Sequence, residues 1–224
     1  MIVEIEQRTP EWLAMRCGMV TASRLGDVIK KLAVNCKSGK KGEPAATRAN
    51  YAIELACERL TGFSADHYVT PYMEWGMEWE EVARAAYQIA TGLDIQDGGF
   101  AIHPQIEQFG ASIDFRVGTD GGGEIKCLKA ENHYRIVTEG VIPDEHLTQM
   151  VGEMACYDLN WIDFVAFNKY FPKKQRLFVK RLWRDETVNE TIGSLLAEIK
   201  DFLREVRQKQ EQFTIKEQAM VNIF

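Results

Sequence analysis

The sequence lacks the excess of basic residues that is typical of a protein that coats nucleic acid. Its 27 Lys and Arg residues are outnumbered by 33 Asp and Glu residues, which gives a formal net charge of −6. It also has no apolar run near the ~18 residues that a membrane span needs. The first twelve residues contain no apolar segment of the kind found in signal peptides. We therefore expect a cytoplasmic protein with no membrane partner.

Clustered cysteines and histidines are missing as well. The five cysteines form no C-x-x-C pair, and the four histidines show no metal-binding spacing. Free thiols in a reducing compartment are therefore expected, rather than disulfides or a zinc site. No Walker loop, G-x-S-x-G elbow or dinucleotide-binding fingerprint is present.

The 224 residues are enough for a single domain, over residues 1–224, with a well-buried core. Helical periodicity predicts helices from Thr21, over 48–60, from Trp75 to Ala90, from a cap at Asp144, and over 187–210. Near-alternation of apolar residues predicts strands over 109–117, 124–128, 161–168 and 176–183. This order indicates an α/β (or α+β) fold with a mixed central sheet flanked by helices.

The residues with the most chemical meaning lie on the two central strands, which a GTDGGG turn is predicted to join. Asp114 falls near the middle of the first strand, and Glu124 and Lys126 project from one face of the second. Two carboxylates and the Ile125 carbonyl between them suit a hard cation such as Mg²⁺. Ordinary polar positions on a solvated sheet face are the alternative. The apolar neighbours of Glu124 and Lys126 favour a buried strand, where charges need a role.

Other residues support either a functional or a plain structural interpretation. Glu80 borders an apolar helical stripe and can face a metal or solvent. Arg16 and Ser23 flank a predicted helix start, where they form a phosphate pocket or simply cap the helix. Lys37 lies in a basic loop that contacts a phosphate backbone or only solvent. Gln149 lies beside an apolar stripe and is otherwise a surface glutamine.

Three sequence blocks together resemble the phage lambda exonuclease family, the YqaJ-type viral recombinases of the PD-(D/E)XK nuclease superfamily. The blocks are WLAMRCGMVTAS, WGMEWE and SID…EIKC, and their order and spacing match over nearly the whole chain. The resemblance implies a PD-(D/E)XK core and processive 5′→3′ digestion of linear double-stranded DNA. It also implies release of 5′-mononucleotides, a homotrimeric ring around DNA and a single-strand annealing protein as partner.

The resemblance also implies roles for individual residues. Asp114, Glu124 and the Ile125 carbonyl would bind the principal Mg²⁺ ion, Glu80 and Asp114 a second one, with Mn²⁺ as a substitute. Lys126 would position the attacking water. The remaining assignments are a 5′-phosphate pocket of Arg16, Ser23 and Ser112, a strand-separating wedge at Met73, a DNA contact at Lys37 and a site glutamine at Gln149. Ile113 and His146 depart from the family pattern.

The resulting hypothesis is a two-metal 5′→3′ exonuclease whose product is a 3′ single strand for recombination. A PD-(D/E)XK endonuclease of restriction or repair type, and a non-catalytic DNA-end-binding protein, are the alternatives. The negative net charge hides one basic stretch, because residues 30–48 carry six basic residues and only Glu43. We therefore expect positive potential near the site and negative potential elsewhere.

Overall fold

The computed structural model of the chain describes residues 1–35, 40–64 and 71–221, and for 71–73 and 216–221 the backbone alone. The first elements are β1 (Ile2–Val3), α1 (Pro10–Arg16), β2 (Val20–Thr21), α2 (Leu25–Ile29), α3 (Ala46–Thr61) and α4 (Pro71–Thr91). They are followed by β3 (Gln96–Asp97), β4 (Phe100–His103), β5 (Ile106–Ala111), β6 (Phe115–Val117), β7 (Gly121–Cys127), α5 (Ala130–Glu139), α6 (Asp144–Tyr157), β8 (Trp161–Phe167), β9 (Leu177–Trp183) and α7 (Glu186–Val221). None of the described helices combines the length and the apolar character required of a membrane span.

The strands form two mixed sheets, which confirms the predicted α/β class. The first sheet has the order β1-β4-β5-β2 and the second the order β3-β6-β7-β8-β9. In the second sheet β7 and β8 run parallel, and the other neighbours are antiparallel. Parallel neighbours need a long crossover connection, and α5 and α6 supply it. The site-bearing strand β7 is thus a central strand.

The larger hydrophobic core lies where α3, α6 and α7 pack on the two sheets, and it includes the fully buried rings of Phe109, Phe164 and Phe202. A smaller core lies on the other side of the second sheet, where Tyr87 of α4 packs against Phe115. Strand β7 is therefore covered on both faces. Its sequence GGGEIKC thus places the charged residues Glu124 and Lys126 in a largely buried strand.

The predicted hairpin is partly wrong. Residues 109–117 do not form one strand, because the chain leaves the first sheet at Ala111 and enters the second at Phe115. The glycines 121–123 are strand residues rather than turn residues. A side chain on Gly121 would meet the Trp161 ring at 2.0 Å, and one on Gly123 would meet the Phe115 ring at 2.0 Å. Glycine is required at these two positions because the aromatic rings pack directly against the backbone of the strand.

Two other expectations at helix starts also need correction. Thr21 precedes a 3₁₀ turn over Ala22–Arg24, and the α-helix α2 begins only at Leu25 and ends at Ile29. The cap position of α6 is Pro143 and not Asp144, which is the first helical residue. The predicted helices over 48–60 and 75–90 are confirmed, with Gly62 in the left-handed conformation after the first.

Candidate metal-dependent nuclease site

Asp114 lies in the break between the two sheets, not in mid-strand. Its backbone N–H donates to the Gly123 carbonyl at 3.1 Å, and its carbonyl accepts a hydrogen bond from Arg84. Its carboxylate accepts the Ile125 backbone N–H at 2.5 Å. The break therefore brings this carboxylate onto β7, one residue from Glu124.

Glu124 and Lys126 share one face of β7, as the spacing of two residues predicts. The Lys126 ammonium lies 2.5 Å from the Glu124 carboxylate, whose side chain is only 5% exposed. Gln149 of α6 completes the contact: its amide N–H donates to Glu124 at 2.7 Å, and its carbonyl oxygen lies 3.4 Å from the Lys126 ammonium. The same amide donates to Glu153 at 2.7 Å. This network compensates the burial of two charges on an apolar strand.

A cavity of about 610 Å³ opens at this end of β7. Glu80 reaches it from α4, so this glutamate faces the site rather than solvent. The cavity lining includes all five residues expected to bind metal or activate water: Glu80, Asp114, Glu124, Ile125 and Lys126. Glu80 also forms a 2.5 Å ion pair with Arg8, whose side chain is 48% exposed.

Burial and the closely spaced carboxylates shift the pKa values of several groups in the cavity. Burial, followed by the charges of Glu124 and Glu80, raises the pKa of Asp114 well above its usual value. Burial alone would lower the pKa of Lys126, but the charges of Glu124 and Asp114 raise it overall. Burial and the carboxylates of Glu80 and Asp114 raise the pKa of the Cys127 thiol to about 12. The ammonium is therefore charged and the thiol neutral near pH 7.

The residues present fit Mg²⁺ in their chemistry, since carboxylates and a backbone carbonyl are the oxygen ligands it prefers. Within residues 1–35, 40–64 and 71–221, no three side chains already have the arrangement of a metal cluster. The reason is visible in the contacts: Glu124 is held by Lys126 and Gln149, and Glu80 is held by Arg8. A divalent cation among these carboxylates would offset the repulsion that raises the pKa of Asp114.

The three residues assigned to phosphate binding are only partly brought together. Trp12 contacts two of them. The Arg16 guanidinium carbon lies 4.0 Å from the centre of the Trp12 ring, and the indole N–H donates to the Ser112 hydroxyl at 2.9 Å. Ser23 is exposed, and its hydroxyl lies 3.3 Å from that of Thr21. Burial lowers the pKa of Arg16 to about 10, so it stays cationic at neutral pH.

Two assignments lie outside the described residues. Lys37 belongs to the undescribed segment 36–39. Met73 lies in the first turn of α4, but its side chain is not described. Within the basic stretch 30–48, which contains Lys37, at least one cation is already neutralised by ion pairs. Arg48 is buried, and it pairs with Glu198 at 3.0 Å and Glu205 at 2.8 Å, both on α7. Its role is therefore to hold α3 against α7.

Several cavity residues were not found from the sequence. Asn132 and Arg135 reach the cavity from α5, and Arg8 precedes α1. His146 also lines it, stacked 5.2 Å from the Phe164 ring, and burial followed by Lys126 lowers its pKa to about 4. The imidazole is therefore neutral near pH 7 and packs as an apolar ring. Asn132 and Arg135 are three residues apart on α5, so a helical period would have placed them on one face of that helix. No other signal in the sequence links them to the cavity.

Comparisons with known proteins show the family and the fold. The family model of the YqaJ-like viral recombinase domain matches residues 11–160. The solved alkaline exonuclease LHK-Exo from Laribacter hongkongensis is 36% identical, with a TM-score of 0.83 over 95% of this chain and 100% of the other. The structure of LHK-Exo in complex with dAMP matches with the same values.

A phage related exonuclease from Haemophilus somnus 129PT is 21% identical, with a TM-score of 0.59 over 89% of this chain and 96% of the other, and it shares the fold. Among curated proteins no significant match is found. The family model covers more than half of the chain, and it includes the break at Asp114, strand β7 and Gln149. The chain therefore belongs to the family of YqaJ-like viral recombinase domains.

Proposed function

We propose that this protein is a Mg²⁺-dependent exonuclease that digests linear double-stranded DNA in the 5′→3′ direction. The observation that carries the proposal is the meeting of Glu80, Asp114, Glu124, Ile125 and Lys126 on one cavity. The similarity to an alkaline exonuclease supports hydrolysis of DNA ends. A related structure holds dAMP, a mononucleotide of the kind that such hydrolysis releases.

In this proposal the acidic residues divide the metal binding. Asp114 and Glu124, with the Ile125 carbonyl, would hold one Mg²⁺ ion, and Glu80 and Asp114 would hold a second, with Mn²⁺ as a substitute. When bound, the metal supplies Lewis-acid stabilisation of the charge that develops on phosphate and promotes ionisation of water. Arg8 would have to release Glu80, which its exposed position allows.

Lys126 acts as a fixed hydrogen-bond donor. Its raised pKa keeps it protonated, so it orients the attacking water or a phosphate oxygen instead of removing a proton. Gln149 contacts both charged partners and fixes the distance between them. Because Glu153 accepts from the same amide, the orientation of Gln149 is set from both sides.

The direction of digestion depends on recognition of a 5′-phosphate. Arg16 supports this role because it is cationic, and among the described residues its guanidinium has no hydrogen-bonded or ion-paired partner. Ser112 accepts a hydrogen bond from the Trp12 indole N–H at the edge of the same ring, two residues before the metal-binding Asp114. An anion held by Arg16 and Ser112 would therefore be close to the cleavage site. Ser23 would add a hydroxyl at the start of the 3₁₀ turn.

The family resemblance supports two further parts of the proposal. A homotrimeric ring around DNA would give processivity through topology, and a single-strand annealing protein would receive the 3′ strand. Both concern the assembly rather than the cavity. Sedimentation, and co-purification with a single-strand annealing protein, would test them independently of catalysis.

The direct test is digestion of a linear duplex that carries a label on one 5′ end, with Mg²⁺ or with EDTA. We expect early release of labelled mononucleotide with Mg²⁺ alone, and faster release from a 5′-phosphate than from a 5′-hydroxyl. Release from the 3′ end would refute the proposed direction. Cleavage of covalently closed plasmid would instead indicate an endonuclease, and binding of ends without hydrolysis a non-catalytic protein. Arg16→Gln should remove the preference for a 5′-phosphate while Lys200→Gln on α7 leaves it unchanged.

A further inference from the structure

The longest basic stretch of the chain has no assigned role. Between Asp163 and Asp185 there are seven basic residues and no acidic one. Three of them have local partners: Arg181 pairs with Asp163 at 2.8 Å, Arg184 pairs with Asp158, and Lys180 donates to the Gly140 carbonyl. The other four lie in the loop 168–176, namely Lys169, Lys173, Lys174 and Arg176.

This loop has a defined internal structure. Asn168, only 1% exposed, donates to the Leu128 carbonyl at 2.8 Å and accepts the Tyr170 N–H at 2.9 Å. The Arg176 guanidinium donates to the Phe171 carbonyl at 2.7 Å. A Lys173–Gln175 3₁₀ turn presents its two lysines to solvent. Within the described parts of the chain, Lys169, Lys173 and Lys174 pair with no carboxylate.

The loop also lies beside the catalytic cavity. His133 of α5 contacts it twice, through a ring nitrogen 2.7 Å from the Gln175 carbonyl and through ring packing on Phe171. The preceding residue of α5, Asn132, lines the cavity. On the other side, the Lys169 ammonium lies 3.5 Å from the ring centre of Trp79, which precedes the cavity residue Glu80. The direct contact with the cavity wall is made by Asn168, which donates to the carbonyl of Leu128, a residue that lines the cavity. A strand that separates from its complement at the cavity can therefore reach this loop.

An exposed aromatic ring lies in the same loop as the lysines that have no carboxylate partner in the described structure. Tyr170 is 74% exposed, and the Lys169 ammonium lies 4.9 Å from its ring centre. Cations that follow a phosphate backbone, combined with a ring on which a base stacks, are the features of a single-strand binding surface. Within a duplex the base faces are stacked on one another, so only the end of the duplex offers such a ring a base to stack on. The exposed ring thus distinguishes the two forms of DNA.

We propose that the loop 168–176 binds the undigested single strand as it leaves the site, with Lys173 and Lys174 on phosphates and Tyr170 on a base. This inference rests on the proposed function, because digestion of one strand of a duplex creates the ligand. It adds to that function a surface that holds the product strand next to the cavity. Binding there would keep the strand from re-pairing with its complement.

The test is equilibrium binding in EDTA of a labelled 20-nucleotide dT single strand and of a blunt duplex, followed by fluorescence anisotropy. The variants are Tyr170→Ala, Tyr170→Phe and the double variant Lys173→Gln/Lys174→Gln. We expect Tyr170→Ala to weaken single-strand binding about 5- to 150-fold, the range for one base–aromatic stack, and Tyr170→Phe to bind like the wild type. For the double variant, the slope of log K against the logarithm of the salt concentration should be less steep by about 1.4, or about 0.7 for each phosphate contact.

The matched control is Lys200→Gln/Lys209→Gln, which removes two lysines from α7, on the side of α3 and α6. It should leave the single-strand affinity unchanged, and thermal unfolding should show that all variants fold. Equal weakening of duplex and single-strand binding by the lysine variant, with no effect of Tyr170→Ala, would overturn the proposal in favour of a duplex contact. Wild-type nuclease activity is measured separately with Mg²⁺. If it is absent while the binding results hold, the proposed function fails and the single-strand surface stands.

Discussion

Replacing Glu153 by glutamine tests whether the site contains a buried acid that costs stability. Glu153 is fully buried on α6, where one carboxylate oxygen accepts from Gln149 and the other has no partner within the described residues. Burial, followed by the nearby charge of Glu124, raises its pKa well above the ordinary value of 4.5. A glutamine has nearly the same shape but cannot ionise.

The expected effect depends on pH in a definite direction. A carboxyl whose pKa is higher in the folded than in the unfolded protein binds more protons when folded. Its contribution to the free energy of unfolding is therefore fully present below pH 4.5 and is lost as pH rises through the folded pKa. The loss is at most about 1.4 kcal/mol per pH unit for one group. Relative to the wild type, Glu153→Gln should thus gain stability with rising pH.

Thermal unfolding of the metal-free protein in EDTA, at several pH values from 5 to 8, measures this difference. In a chain of this size 1 kcal/mol shifts Tm by about 2–4 °C, so the two curves should separate by up to about 3–6 °C per pH unit. Glu190→Gln, at an exposed position of α7, is the control and should differ from the wild type by less than ~0.5 kcal/mol at every pH. A difference independent of pH, or a variant less stable than the wild type at pH 8, would refute the reasoning.

The same position separates stability from catalysis. Glu153→Gln retains an oxygen that accepts from Gln149, so the amide keeps its orientation toward Glu124 and Lys126. Glu153→Leu removes the acceptor and frees the amide to rotate. We expect near-normal digestion by the first variant and a loss of up to about 10-fold by the second, which corresponds to one hydrogen bond. Equal rates for the two would show that Gln149 needs no support from Glu153.

Other variants test single contacts. Lys126→Ala should abolish hydrolysis in a gel assay of labelled duplex while DNA binding persists, and a near-normal rate would disprove its role. Asp163→Ala leaves Arg181 and Tyr87 without their buried partner, and thermal unfolding should show a loss of about 3 kcal/mol, or about 6–12 °C in Tm. An Asp163→Ala protein as stable as the wild type would contradict this. Met73→Ala should slow digestion without weakening metal binding in calorimetry, and unchanged processivity would exclude the wedge.

The contact between Glu124 and Lys126 could be predicted from the sequence because it depends on local spacing. Glu124 and Lys126 are two residues apart, and a strand places such residues on one face whatever the rest of the fold does. The position of Asp114 could not be derived in this way. The chain changes sheets at Ser112–Asp114, and a pattern of apolar residues looks the same in one strand as in two short strands. The turn was misplaced for a related reason, since glycines serve both turns and close ring contacts.

Long-range contacts account for most of what was missed. Glu80 could not be assigned by its position on α4, because a carboxylate that borders an apolar helical stripe can face solvent as well as a site. What turns it toward the site is the packing of α4 against β7. Arg48 shows the opposite error: its neighbours in sequence are basic, but its partners Glu198 and Glu205 are about 150 residues away. No local pattern reports such pairs.

The net charge of −6 is consequently a poor guide to whether this protein binds DNA. Charges on a surface are screened over about 8 Å at physiological ionic strength, so a phosphate responds to the groups near it and not to the sum. Part of the positive charge of the stretch 30–48 is neutralised by α7, because Lys31 and Arg48 both pair with Glu198. The stretch between Asp163 and Asp185 keeps three lysines without carboxylate partners in the described structure, in a loop that contacts the cavity residue Leu128 through Asn168. Positive potential is therefore expected beside α4 and α5, at a place that the sequence analysis did not select.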